Sequence, residues 1–96
     1  MDKALKHKAQ FLLDILHILQ ISKPCNDSDF RLVIKWFTEE GIITIRELAD
    51  ALLVSMPTIR RWASGRNLPS NLLRQPIFEL LREVTTKKIE KHSRQS

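Results

Sequence analysis

Between residues 2 and 21 the chain has neither glycine nor proline, and Leu5, Ala9, Leu12, Leu16 and Leu19 recur at spacings of 4, 3, 4 and 3. Phe11, Ile15 and Ile18 widen that stripe, so the pattern predicts an amphipathic helix over 2–21 that must bury one face. Two surfaces can take that face: the helix's own domain, or a second copy of the chain. The run SKPCNDSD at 22–29 reads as a turn in which Pro24 and small polar residues stop one helix and cap the next. Phe30, Val33, Ile34 and Phe37 then follow i, i+3, i+4, i+7, and Gly41 supplies a C-terminal stop, which predicts a helix over 29–40 with Trp36 added to its core face.

Two short helices follow. Thr44-Ile45-Arg46-Glu47 has the form of a capping box, in which the threonine hydroxyl accepts from an N-terminal amide and the glutamate reaches back. Ile45, Leu48, Ala49 and Leu52 share one face of the resulting helix 45–52. Ser55 offers a second N-cap, and Pro57 falls in the next first turn, where its missing N–H costs little. The proline therefore starts a helix, 56–64, rather than breaking one. Ile59, Trp62 and Ala63 form its inner face; Pro57, Arg61 and Ser64 point the other way, with Arg60 on the shoulder. Gly65 ends it. After RNLPS, Pro76 opens a last helix over 76–88 with Ile77, Leu80, Leu81 and Val84 as its stripe. No segment alternates with period two, so the predicted fold is all-α: a small helix-turn-helix bundle of about five helices with an extra N-terminal amphipathic helix. It divides into the helix within 1–22, a domain over 29–84, and a basic tail over 85–96 with only Ile89 as an apolar anchor, expected to be flexible.

Charge sharpens this picture. The 96-residue chain has a formal net charge of +5, with 43% hydrophobic and 28% charged residues, the profile of one globular domain with a basic surface. The positive charge is uneven. Residues 42–74 set Arg46, Arg60, Arg61, Arg66 and Arg74 against Glu47 and Asp50, and the tail sets Lys87, Lys88, Lys91 and Arg94 against Glu90.

Two helices joined by a three-residue turn, the second bearing exposed arginines, make a helix-turn-helix. From Ile45 to Ser64 the pattern resembles the phage-repressor (Cro/XRE-like) class of transcriptional regulators. SMPTIRRWASGRNLP is similar to that family's serine-x-x-threonine-aliphatic-x-x-tryptophan run with its following glycine and proline, and Arg74, five residues beyond Pro69, resembles a subset of such repressors. The likeness spans about residues 29–84. It implies buried positions at Leu48, Leu52, Val54, Ile59 and Trp62, a close helix crossing at Ala49, and helix 56–64 as the element inserted into a DNA major groove. One residue departs from the pattern: the family places glycine in the turn where this chain has Leu53. A left-handed backbone there would cost leucine roughly 1 kcal/mol, a strain that apolar cover over its side chain would offset.

The expected function is sequence-specific binding of double-stranded DNA, as a repressor-like regulator. Met56, Pro57, Arg60, Arg61 and Ser64 are the expected base-reading residues; arginine in particular matches guanine O6 and N7 in a bidentate contact. Thr44, Arg46, Ser55, Thr58, Arg66 and Asn67 are placed for phosphates. The expected partner is an inverted-repeat operator bound by a homodimer, because one short helix reads few base pairs. The alternative is a protein-interaction module, or an antitoxin-like adaptor, whose basic face binds an acidic protein. An enzyme is not expected, since there is no phosphate loop, nucleophile motif or inward carboxylate pair. Cys25 stands alone and reads as a plain turn residue; His7, His17 and His92 lack metal-ligand spacing, so no metal or cofactor is expected. No small-molecule ligand is evident. Asp14 and His17 interrupt the N-terminal apolar run, which argues against a signal peptide, and no run approaches a membrane span, so the expected location is cytoplasmic and nucleoid-associated.

Overall fold

The computed structural model describes residues 2–21 and 25–95, with side chains as far as Lys91. It comprises five helices: α1 (Lys3–Ile21), α2 (Asp27–Glu39), α3 (Ile45–Leu52), α4 (Met56–Ala63) and α5 (Asn71–Gln95). There is no strand among the described residues. Residues 22–24 of the predicted turn and the side chain of His92 lie outside them. α1 packs against α2 and α5, α4 against α2 and α3, and α3 touches α5.

Local chemistry sets most of the helix starts. The Asp2 carboxylate accepts from the Leu5 amide at 2.7 Å, and Asn26 Oδ1 accepts from Asp29 N at 2.8 Å, so α2 begins two residues earlier than the apolar pattern predicts. Gly41, at φ +78°, ends that helix and lets the Ile42 amide return to the Phe37 carbonyl. The Thr44–Glu47 capping box is closed in both directions at 3.0 Å, and Ser55 caps α4 with Pro57 in its first turn.

The core is centred on the fully buried Phe30. Trp62 of α4 meets it edge-on at 5.7 Å, and Phe78 of α5 stacks on it at 5.7 Å, so one ring joins three helices. Val33, Ile34, Phe37, Leu48, Ile59 and Leu81 complete the centre. Leu52 and Val54 are half-buried against it, as is Trp36, which the apolar pattern assigns to the core.

The last helix departs most from expectation. It starts at Asn71, not Pro76, and runs on through the segment read as a loose tail. Arg74 explains the early start. Its Nε donates to the Pro69 carbonyl (3.1 Å), Nη1 to the Cys25 carbonyl (2.9 Å) and Nη2 to Asp27 Oδ1 (2.7 Å), with Cζ 5.5 Å from the Phe30 ring centre. Pro76 deprives the Leu72 carbonyl of its helical donor, but both residues are exposed, so water can replace it. Beyond Val84, Thr85 is fully buried, Ile89 packs on the core, and Lys88 Nζ donates to the Ile42 carbonyl at 2.9 Å. The buried line is Arg74, Ile77, Phe78, Leu81 and Thr85, one position round from the predicted stripe.

The turn between α3 and α4 carries a left-handed leucine. Leu53 has φ 59° and ψ 40°, and its side chain is 92% exposed, so no apolar cover offsets the strain. Leu53→Gly is therefore expected to stabilise the chain by up to about 1 kcal/mol, part of the strain relief being offset by the added freedom of the unfolded glycine. Leu53→Val, β-branched in the same conformation, should destabilise it. Thermal melts followed by circular dichroism decide this; a lower melting temperature for the glycine variant would mean that the leucine is covered in solution.

Candidate nucleic-acid interface

α4 is held from both sides of its sequence pattern. Ile59 is fully buried and Trp62 nearly so, and the Ser55 hydroxyl caps the first turn by accepting from the Thr58 amide at 3.2 Å. Its other face is thereby fixed outward: Pro57, Arg60, Arg61 and Ser64 are all exposed. The short left-handed turn at Leu53 brings α3 beside α4, with Arg46 exposed on α3.

The residues assigned from sequence separate by what their polar atoms already do. Arg60, Arg61 and Arg46 are exposed and engaged in no ion pair among the described residues. Met56 is half-buried against the core, which leaves it little reach toward a base edge. Ser64, read as a base contact, donates its hydroxyl to the Arg61 carbonyl at 2.9 Å and accepts from Arg66 Nε at 3.2 Å, so it supports a neighbouring arginine. The hydroxyls of Ser55 and Thr58, read as phosphate ligands, lie 2.8 Å apart and are hydrogen-bonded to each other. Thr44 is similarly committed to the α3 cap. Asn67 is exposed at φ 49°, just beyond Arg66.

The distribution of ion pairs is informative. Lys8–Glu40, Arg74–Asp27, Arg82–Glu79, Lys87–Glu83 and Lys88–Glu47 are neutralised contacts, and none of them involves Arg46, Arg60, Arg61 or Arg66. Glu47 would otherwise set a negative charge at the edge of this face. Burial pushes its pKa up, but hydrogen bonds from Lys88 and Thr44, with the Lys88 charge, outweigh that and hold the carboxyl below its usual value. The cap therefore stays ionised at neutral pH. Because the folded-state value is depressed, its contribution to stability is present above the ordinary carboxylate range and is lost as pH falls through the folded value.

Two residues escaped the sequence reading. Lys88 belongs to the segment predicted to be flexible, and its partner Glu47 is 41 residues away, a pairing without local signal. Arg31 of α2 reaches α4, where its Nε donates to the Ala63 carbonyl at 3.2 Å, 32 residues distant. Elsewhere the chemistry is quiet. Cys25, outside the helices, is buried, and burial raises its thiol pKa, so it carries little thiolate at neutral pH. Among the described residues no group of His, Cys, Asp and Glu converges as metal ligands do, and no helix is long and apolar enough to cross a membrane. Family models, curated proteins and solved structures return no match to this chain.

Proposed function

We propose that this chain binds duplex DNA sequence-specifically, as a transcriptional regulator that lays α4 in the major groove. One observation carries this reading: Arg60 and Arg61 stand exposed and, among the described residues, without acidic partners on a short helix whose opposite face, Ile59 and Trp62, is fixed in the core. A surface that leaves adjacent arginines unneutralised retains self-repulsion that a polyanion relieves. A groove about 12 Å wide admits such a helix, and the guanidinium fork matches guanine edges. Arg46 and Arg66 flank it as phosphate contacts.

A single α4 reads only a few base pairs, so the functional unit is a pair of chains on an inverted repeat, with recognition helices about 34 Å apart. The predicted stripe of α1 is not free for that contact, because Ala9, Leu12 and Leu16 are buried within their own chain. The edge of that stripe is free: Phe11 and Ile18 are exposed, as is Ile21, and Phe11 lines an open groove of about 250 Å³ with Lys8, Leu12, Ile15, Trp36 and Glu40.

Selection of bound fragments from a random duplex pool tests the reading. Enrichment of a defined inverted repeat is the expected result. Retention of an acidic protein with no duplex enriched would favour the interaction-module alternative. On the selected duplex, Arg61→Ala should cost about 1–3 kcal/mol and relax specificity at one base pair. Arg66→Ala should weaken all sequences alike and reduce the salt slope by about 1. Equal losses on every duplex for both variants would contradict that division of roles.

A further inference from the structure

The arginines of this chain differ in which nitrogens are occupied. Arg74 donates from Nε, Nη1 and Nη2 to oxygens of its own chain and is 5% exposed, so it is not presented to a ligand. Arg31 and Arg66 are different. Each is fastened through Nε alone, Arg31 to the Ala63 carbonyl and Arg66 to the Ser64 hydroxyl, both at 3.2 Å. These anchors are consecutive residues at the C-terminal end of α4. Both arginines are exposed, and neither has an acidic partner among the described residues.

Anchoring through Nε leaves the Nη1–Nη2 edge of the guanidinium open, on a side chain whose position the first hydrogen bond already restricts. That edge can meet two oxygens of a phosphodiester at once. Holding it in place beforehand removes much of the side-chain entropy that an exposed arginine loses on binding. Arg31 passes close over Gly65. The Arg31 side chain crosses this glycine so closely that an added Cβ would lie 3.3 Å from Arg31 Cδ, at a backbone φ of +82° that itself favours glycine.

We propose that Arg31, reaching from α2, is a second phosphate ligand beside Arg66, so that the C-terminal end of α4 presents a two-arginine clamp to the DNA backbone. This rests on the duplex-DNA reading above. A purely structural arginine at this position would serve the negative end of the helix dipole and cap α4. The two roles differ in their dependence on salt, because a phosphate contact releases a counterion and a cap does not.

The experiment measures binding of the intact chain to its selected duplex between 50 and 300 mM salt, for wild type, Arg31→Met and Arg31→Lys, with thermal melts of each. Methionine keeps the apolar stem without the charge; lysine keeps the charge without the fork. For Arg31→Met the salt slope should fall by about 0.9, with affinity down roughly five- to tenfold at 0.1 M salt on every sequence tested. Arg31→Lys should keep the slope and lose part of the affinity. An unchanged slope in Arg31→Met, with wild type binding normally, would overturn the clamp and leave the DNA reading intact. Failure of the wild-type chain to bind any duplex would overturn both.

Discussion

Leu16→Ala should destabilise the chain by about 2–5 kcal/mol, whereas Phe11→Glu, five residues earlier on the same helix, should leave it folded and separate paired copies. Leu16 is fully buried together with Ala9, so truncating it opens a cavity where α1 meets α2 and α5. A loss of that size is a large share of the roughly 5–15 kcal/mol that stabilises a domain of this kind, so removing α1 altogether should unfold it. Phe11 is 64% exposed and faces the open groove beside Trp36. A carboxylate there costs the single chain little and is strongly unfavourable in an apolar contact between copies. Denaturant melts and light scattering on both variants separate the two faces. A Phe11→Glu chain that is as unstable as Leu16→Ala would mean that both stripes serve the monomer. Wild type that remains monomeric at high micromolar concentration without DNA would remove the pairing on this face.

The second large effect is expected at Arg74. Its three hydrogen bonds tie the start of α5 to the loop behind α4 and to the start of α2, and it is 5% exposed. Arg74→Ala strands the Cys25 and Pro69 carbonyls and removes the packing of its stem on Phe30, for an expected loss of about 2–4 kcal/mol. Asp27→Asn should cost less than about 1 kcal/mol, because the carboxylate is 77% exposed and is the one partner that water can replace. Urea titrations that gave equal losses for the two variants would mean that the ion pair, not the carbonyl contacts, holds this corner.

How much of this was readable from sequence follows the distance over which each determinant acts. α3 and α4 are legible to within a residue because their signals are local: Thr44 with Glu47 three residues on, and Ser55 with Pro57. The start of α5 was misplaced because Pro76 is a strong local sign of a helix start. The true determinant, Arg74, acts through Cys25 and Asp27, 49 and 47 residues away. The segment after Thr85 read as loose for the same reason. It carries few apolar residues, and what holds it is Lys88 on Ile42 and Glu47 together with a buried threonine. For α1 the periodicity gave one broad apolar stripe but could not say how much of it its own domain covers: Ala9, Leu12 and Leu16 are buried, whereas Phe11 and Ile18 at its edge are exposed. Within the candidate site, the exposed arginines were legible from the helical projection. The hydroxyls of Ser55, Thr58 and Ser64 were not, because a side chain that can meet a phosphate can equally cap a helix, and here the local partner is already engaged.

Binding of the intact chain to a duplex selected from a random pool, and to a scrambled duplex of equal length, across 50–200 mM salt tests DNA recognition by α4 most directly. The expected result is preference for the selected duplex by at least about a thousandfold, with a log–log salt slope of about −2 to −3 per protomer from arginines on phosphates, and loss of that preference in Arg60→Ala/Arg61→Ala. Equal affinity for both duplexes, or a preference that survives the double substitution, would contradict it.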